Sequence, residues 1–209
     1  MNKPYFDAMG KLKSGNKRYV EGNSNFDQSI TQTRDSLTDG QQPFACIVTC
    51  SDSRVVPEYI YDQTLGSLFV IRLAGNVITP EALGSIEYAC AHLKTSLVMV
   101  MGHTGCGAIK TVLDPNFNEQ TNAPSNLKTM ILSLRSQLTE PNSSNDLDYN
   151  VKKNVSLQMN QLMKMSELIN TQVQLDEIKV VGSVYDLNSG TVSWVEPETD
   201  QSNGNLIAV

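Results

Sequence analysis

The chain has 209 residues, of which 40% are apolar and 18% charged, a composition typical of one soluble globular domain with a well-buried core. Its formal net charge of −6, with no compensating basic cluster, argues against nucleic acid as a partner. No stretch approaches the roughly 20 apolar residues of a membrane span, and the N-terminal segment lacks the apolar core of a signal peptide. We therefore expect no membrane partner and a cytoplasmic protein, or a periplasmic one if a signal peptide was removed before this numbering.

The N-terminal part of the chain is predicted to be helical and polar. We predict a single domain over residues 1–209, with an N-terminal helical arm over about residues 1–40. A helix over residues 4–20 ends at Gly22, and a polar stretch over residues 23–42 follows it. This helix and the polar stretch are poorly suited to pack on their own chain alone.

Four short apolar runs rich in β-forming residues follow the arm. Their near-continuous apolar character is typical of strands buried on both faces of a parallel sheet. The runs are PFACIVTC, SLFVIR, SLVMVMG and IKVVGSVY. A fifth run, TVSWVE over residues 191–196, follows an Asn-Ser-Gly turn and is predicted to pair antiparallel with the fourth.

Helical patterns alternate with these strands. One begins with Thr79 as N-cap and Pro80 at the first helical position. A later one carries an apolar stripe that runs from Val151 to Ile169. The alternation predicts an α/β fold with a mainly parallel central sheet flanked by helices, and with an antiparallel edge strand.

Two polar motifs follow strands that we expect to be neighbours in this sheet. CSDSR, residues 50–54, comes directly after the first strand, and GHTGCGA, residues 102–108, comes with the end of the third. Because open α/β sheets bind ligands beyond the carboxyl ends of their strands, both motifs reach the same edge. Together they supply Cys50, His103 and Cys106. Two thiols and an imidazole with no obvious fourth ligand are the ligand set of an open zinc site.

Taken singly, cysteine and histidine are more often core residues than metal ligands, and a bare His-x-x-Cys motif is a weak signal. Three features favour a metal here: the position of all three residues at strand ends, the glycines of the second motif, and the charges of Asp52 and Arg54 beside Cys50. The other two cysteines, Cys46 and Cys90, are predicted to lie in the core.

The segments CSDSR, LFVIRLAGN, GSIEYA and GHTGCGA, in this order, resemble the β-class carbonic anhydrases, as do the early LKSGNKRYV and the late VVGSVYDLNSGTV. The resemblance implies that Cys50, His103 and Cys106 bind one zinc ion per chain and that Asp52 and Arg54 form a catalytic dyad. It implies a parallel sheet with an antiparallel edge strand. It also implies pairing of chains through N-terminal helices into homodimers, which often pair again into tetramers.

The implied reaction is the reversible hydration of carbon dioxide to bicarbonate and a proton. Zinc lowers the pKa of its bound water, and the resulting hydroxide attacks carbon dioxide. Asp52 accepts the hydrogen bond of the hydroxide and so orients it, while Arg54 holds Asp52 in place and ionised. The backbone of Gly105, Gly107 and Ala108 and the positive end of the following helix are expected to stabilise bicarbonate.

Two other functions stay open from the sequence. Relatives of the family hydrolyse carbon disulfide or carbonyl sulfide on the same fold, and the sequence indicates the zinc ligands but not the shape of the path that a gas takes to them. A non-catalytic zinc protein would keep Asp52 or another group permanently on the metal. The intact pair of Asp52 and Arg54 argues against this last function.

Overall fold

A five-stranded sheet forms the centre of the structure, a computed structural model that describes residues 3–25, 30–138 and 144–195. The strands are β1 Ala45–Thr49, β2 Leu68–Arg72, β3 Leu97–His103, β4 Lys179–Tyr185 and β5 Val192–Val195. Their order across the sheet is β2-β1-β3-β4-β5. The first four are parallel, and β5 pairs antiparallel with β4 at the edge. The fold class predicted from the sequence is confirmed.

Helices cover both faces of the sheet in the described part of the chain. They are α1 Pro4–Val20, α2 Ile30–Ser36, α3 Pro57–Ile60, α4 Pro80–Ala91, α5 Gly107–Leu113, α6 Ser125–Leu138, α7 Leu147–Met165 and α8 Glu167–Gln174, with a single 3-10 turn at Ala74–Asn76. None of these described helices is long and apolar enough to cross a bilayer.

The strand side chains alternate between two apolar layers. Ile47 and Met99 pack on one face with residues of α1 and α3, whereas Val48 and Val100 face the layer formed by α4 to α8. Every residue of β1 and β3 is buried, because both strands lie inside the sheet with helices on either side. This explains why their sequences are continuous apolar runs rather than alternating ones. Cys46 and Cys90 belong to the second layer, as predicted.

Helix α1 has the predicted bounds and packs one face on its own chain. Gly15 lies against the backbone of Tyr61 so closely that a Cβ there would meet the carbonyl oxygen at 1.8 Å. The side chain of Asn16 donates to the carbonyls of Ile60 and Gly190 and accepts from the amide of Val192. The helix therefore packs on its own chain more closely than the sequence analysis expects.

Two other elements differ from the sequence prediction, and a third lies partly outside the described residues. The stripe from Val151 to Ile169 is divided between α7 and α8, because the hydroxyl of Ser166 accepts from the amide of Ile169 and starts a new helix. The polar stretch over residues 23–42 contains α2. The predicted last residue of the fifth strand, at position 196, lies outside the described residues, as do both ends of the predicted domain, residues 1–2 and 196–209.

The start of α4 confirms its predicted capping. The side chain of Thr79 accepts from the amide of Ala82, and Pro80 occupies the first helical position. An amide hydrogen at the first helical position would have no partner within the helix, and proline has none to leave unpaired. The Thr79 cap and Pro80 therefore define the helix start together.

Candidate metal centre

The carboxyl ends of β1 and β3 bring the two polar motifs together. The two strands are neighbouring and parallel, with Thr49 opposite Met101. Cys50 follows β1 directly, His103 is the last residue of β3, and Cys106 precedes α5 as its N-cap. The predicted adjacency of the two motifs is confirmed.

The three predicted ligand side chains form one buried cluster. Cys50, His103 and Cys106 are 5%, 0% and 1% exposed, and their ligand atoms all lie within 4.8 Å of one another. The two Sγ atoms are 4.0 Å apart. Zinc–sulfur bonds of about 2.3 Å in tetrahedral geometry place two ligand sulfurs about 3.8 Å apart. In residues 3–25, 30–138 and 144–195, this is the one group of three or more such side chains that could hold a metal ion.

The imidazole of His103 has one nitrogen bonded to the backbone and presents the other, Nε2, to the ligand cluster. Its Nδ1 lies 2.9 Å from the carbonyl oxygen of Thr104 and must donate to it, so that in the neutral ring Nε2 carries the lone pair. This Nε2 is buried and has no hydrogen-bond partner. A buried polar atom without a partner costs about 1–3 kcal/mol, a cost that a bound cation removes. The donor set and this unpartnered nitrogen fit a metal ion.

The two thiols influence each other's proton affinity. A hydrogen bond from Cys106, opposed by burial, lowers the pKa of Cys50 to about 4, and the neighbouring His103 and the amides of Gly75 and Asp52 support this shift. The same contact, together with burial, raises the pKa of Cys106, against hydrogen bonds from the amides of Ala108 and Ile109. The contact between the two sulfurs therefore favours one thiolate beside one thiol, and a metal cation would favour the deprotonated form of both.

Asp52 and Arg54 form a bidentate ion pair at the rim of the cluster. The guanidinium donates from Nε to Oδ1 at 2.9 Å and from Nη2 to Oδ2 at 2.7 Å, and the Arg54 amide also donates to Oδ1. The hydrogen bonds from Arg54 hold the pKa of Asp52 well below its usual range, although partial burial opposes the shift. Oδ2 of Asp52 lies 3.9 Å from Nε2 of His103, so the carboxylate faces the ligand cluster.

The N-terminal turn of α5 supports the second thiol. Gly105 has a positive φ of 67°, which lets the chain turn tightly between His103 and Cys106. The amides of Ala108 and Ile109 act to lower the pKa of Cys106, although the contact with Cys50 and burial outweigh them. The predicted contact of Gly105, Gly107 and Ala108 with bicarbonate stays a prediction.

Arg72 is a site residue that sequence reasoning did not assign. It ends β2, and its guanidinium donates to the carbonyls of Cys50 and Asp52 at 3.3 Å and 2.7 Å. These bonds fasten the loop that carries the first thiol and the dyad to the neighbouring strand. A charged residue at the end of an otherwise apolar strand is the sequence signal that could have suggested such a role.

An open depression of about 510 Å³ adjoins the dyad. Arg54, Thr104 and Gly105 line one part of it, and the first residues of α7 line another. Arg54 lies between this depression and the carboxylate of Asp52, and its side chain is 60% exposed.

Together, the fold and the cluster define the class of protein: an α/β protein with three side chains that could hold a metal ion at the carboxyl ends of two adjacent parallel strands. The family model described as carbonic anhydrase matches residues 45–192. The chain belongs to the carbonic anhydrase family, in its β class, which confirms the family and the enzyme class predicted from the sequence.

Individual relatives agree with this family. Carbonic anhydrase 2 of Mycobacterium tuberculosis is 34% identical over 185 residues, which are 88% of this chain and 89% of the relative. A carbonic anhydrase of Mycolicibacterium smegmatis is 47% identical over 106 residues, which are 51% of this chain and about half, 52%, of that relative's length. The structure of the β-carbonic anhydrase CcaA superimposes with a TM-score of 0.68 at 26% identity, covering 93% of this chain and 94% of CcaA.

Proposed function

We propose that this protein catalyses the reversible hydration of carbon dioxide to bicarbonate and a proton, with one zinc ion per chain held by Cys50, His103 and Cys106. One observation carries the proposal. The bare, buried Nε2 of His103 shares a cluster with two thiols, and an arginine-bound carboxylate faces that cluster. Zinc in such a site supplies a Lewis acid and an acidic water that becomes a nucleophile near neutral pH.

The charges of the ligands suit a divalent cation. Two thiolates and a neutral imidazole contribute two negative charges, which balance the charge of the ion in a buried place where an unbalanced charge would be costly. The amide of Gly75 donates to the sulfur of Cys50, and the amides of Asp52, Ala108 and Ile109 also act to lower the pKa values of the two thiols, which favours their deprotonated form.

Asp52 acts as a hydrogen-bond acceptor in this proposal. Because the carboxylate is ionised, Asp52 accepts a hydrogen bond from the attacking oxygen and does not donate one. The oxygen's lone pair is thereby aimed away from Asp52, toward the carbon of carbon dioxide. Arg54 donates one side-chain hydrogen bond to each carboxylate oxygen of Asp52, which leaves fewer directions from which Asp52 can accept a further hydrogen bond.

The substrate is tested by offering three gases to the same zinc-containing preparation. We expect bicarbonate and protons from carbon dioxide, and no hydrogen sulfide from carbon disulfide or carbonyl sulfide. Sulfide release without carbon dioxide hydration would replace the proposed substrate by the sulfur analogues. A zinc-loaded protein that converts none of the three would identify a non-catalytic zinc protein.

We further propose that the active form is a homodimer or a tetramer, as the family resemblance implies. Large apolar side chains are exposed on α1 and in the segment after β1, and covering them would favour association: Phe6, Val20, Tyr59 and Leu65. Sedimentation velocity at micromolar concentration should show no monomer, and a fully active monomer would refute this part. A cytoplasmic location also stays a prediction, which fractionation of cells that make the native protein tests.

A further inference from the structure

The 3-10 turn at Ala74–Asn76 touches both halves of the metal centre. The amide of Gly75 donates to Sγ of Cys50 at 3.4 Å. On its other side, a Cβ at Gly75 would lie 3.3 Å from Cβ of Ala108, in the helix that follows Cys106. Gly75 adopts a positive φ of 71°, a conformation that glycine tolerates. The position of this turn therefore determines whether the amide of Gly75 can donate a hydrogen bond to the sulfur of Cys50.

Two buried side chains of α7 hold the turn and the residues after it. Nδ2 of Asn154 donates to the carbonyl oxygen of Gly75 at 2.8 Å, and Oε1 of Gln158 accepts from the amide of Ile78 at 2.8 Å. Nε2 of Gln158 also donates to Oδ1 of Asn154 at 3.2 Å. Each of the two side chains is 1% exposed. Gln158 thus fixes which edge of the Asn154 amide faces the turn, since Oδ1 is taken as the acceptor.

We propose that Asn154 is a positioning residue of the metal centre, which places the amide of Gly75 on the sulfur of Cys50, and that Gln158 orients Asn154 for this role. The inference rests on the proposed binding of zinc by Cys50. The backbone of Gly75 is held at its carbonyl oxygen by Asn154 and donates through its amide to a metal ligand, so that α7 fixes the peptide unit next to the one that carries the donor. An N–H···S hydrogen bond withdraws electron density from a thiolate and fixes its direction, as partners of ligands do in other metal sites.

The chain offers a matched pair of substitutions on one helix. In Asn154→Asp, the donor to Gly75 is replaced by a carboxylate oxygen of almost the same shape, which repels the carbonyl. Asn150→Asp makes the same change one turn earlier in α7. The Asn150 side chain is also buried, but its Nδ2 donates to the carbonyls of Ser144 and Asp146 at the helix start. Both variants lose buried hydrogen bonds, and only the first loses contact with the turn.

Two readouts report on the metal centre independently of activity. One is the zinc dissociation constant from competition with a chelator. The other is the sulfur-to-cobalt charge-transfer absorption of the protein loaded with Co²⁺, which depends on the electron density of the ligand sulfurs. For Asn154→Asp we expect zinc binding weaker by about 10–100-fold, the usual effect of losing a partner of a ligand, and a displaced charge-transfer band. For Asn150→Asp we expect wild-type values of both, even where its thermal stability falls.

A second variant covers the case in which Asn154→Asp does not fold. Gln158→Glu keeps the acceptor for Ile78 and removes the donor to Asn154, so it should shift both readouts in the same direction by a smaller amount. Wild-type zinc affinity and an unchanged cobalt spectrum in the folded variants would overturn the proposal and leave the network with a role in fold stability alone. A wild-type protein that binds no zinc would instead contradict the proposed function, so the two failures are distinguishable.

Discussion

Replacing Cys106 by serine is expected to remove zinc and activity together. Sγ of Cys106 lies 4.0 Å from Sγ of Cys50, and a serine hydroxyl is not deprotonated near neutral pH and so cannot replace a thiolate. The remaining two ligands leave the site with one negative charge against a divalent ion. Removing a residue that only hydrogen-bonds to a metal ligand typically lowers metal affinity or activity by about 10–100-fold. Because Cys106 is a ligand itself, we expect zinc affinity and kcat/KM to fall by more than about 100-fold. Elemental analysis measures the zinc bound per chain, and stopped-flow assays of carbon dioxide hydration measure the activity.

The matched control is Cys90→Ser. Cys90 is also buried, but it lies in α4 within the apolar layer and outside the ligand cluster. The same exchange of sulfur for oxygen there should lower stability without changing the zinc content of the folded protein. Full zinc occupancy and full activity in Cys106→Ser would refute the ligand assignment.

Replacing Arg54 by alanine is expected to lower activity while zinc stays bound. Without the guanidinium, the pKa of Asp52 returns toward the ordinary value of about 3.9, so the carboxylate remains ionised at neutral pH. The loss therefore comes from orientation and not from protonation. We expect kcat/KM for carbon dioxide hydration to fall by about 10–100-fold.

The pH dependence of the Arg54→Ala variant distinguishes this cause from general damage. A carboxylate freed from Arg54 can turn toward the ligand cluster, since its Oδ2 is already 3.9 Å from Nε2 of His103, and can compete for the metal. Hydroxide competes better as pH rises, so the activity of the variant should rise at higher pH than that of the wild type. Arg34→Ala is the control, because Arg34 forms an exposed ion pair with its neighbour Asp35. Superimposable pH profiles for Arg54→Ala and the wild type would contradict the proposed role of Arg54.

The strands and the metal cluster could be predicted from the sequence because their signals are local. Each central strand is a continuous apolar run, and each ligand motif begins at or directly after the end of one. The break between α7 and α8 was missed because the apolar stripe continues through it. Ser166 stops the first helix with a cap that is itself fixed by a distant hydrogen bond to Glu87. Periodicity reports which face is buried and not where a helix is interrupted.

The residues that support the ligands could not be found in the same way. Arg72 contacts the backbone of Asp52, 20 positions away, and Asn154 contacts the backbone of Gly75, 79 positions away. Backbone carbonyls leave no mark in the sequence, so these pairs have no motif of their own. An arginine at the end of an apolar strand, or a buried asparagine or glutamine in a helix, indicates that a partner exists, but only the fold shows which one it is.

The most direct test of the account is to return zinc to the metal-free protein while carbon dioxide hydration is followed by stopped flow. The account predicts that the rate rises in proportion to added zinc and stops rising at one ion per chain, and that Cys106→Ser shows no such rise. A rate that is independent of zinc, or a protein that is inactive with one zinc per chain at every pH tested, would contradict it.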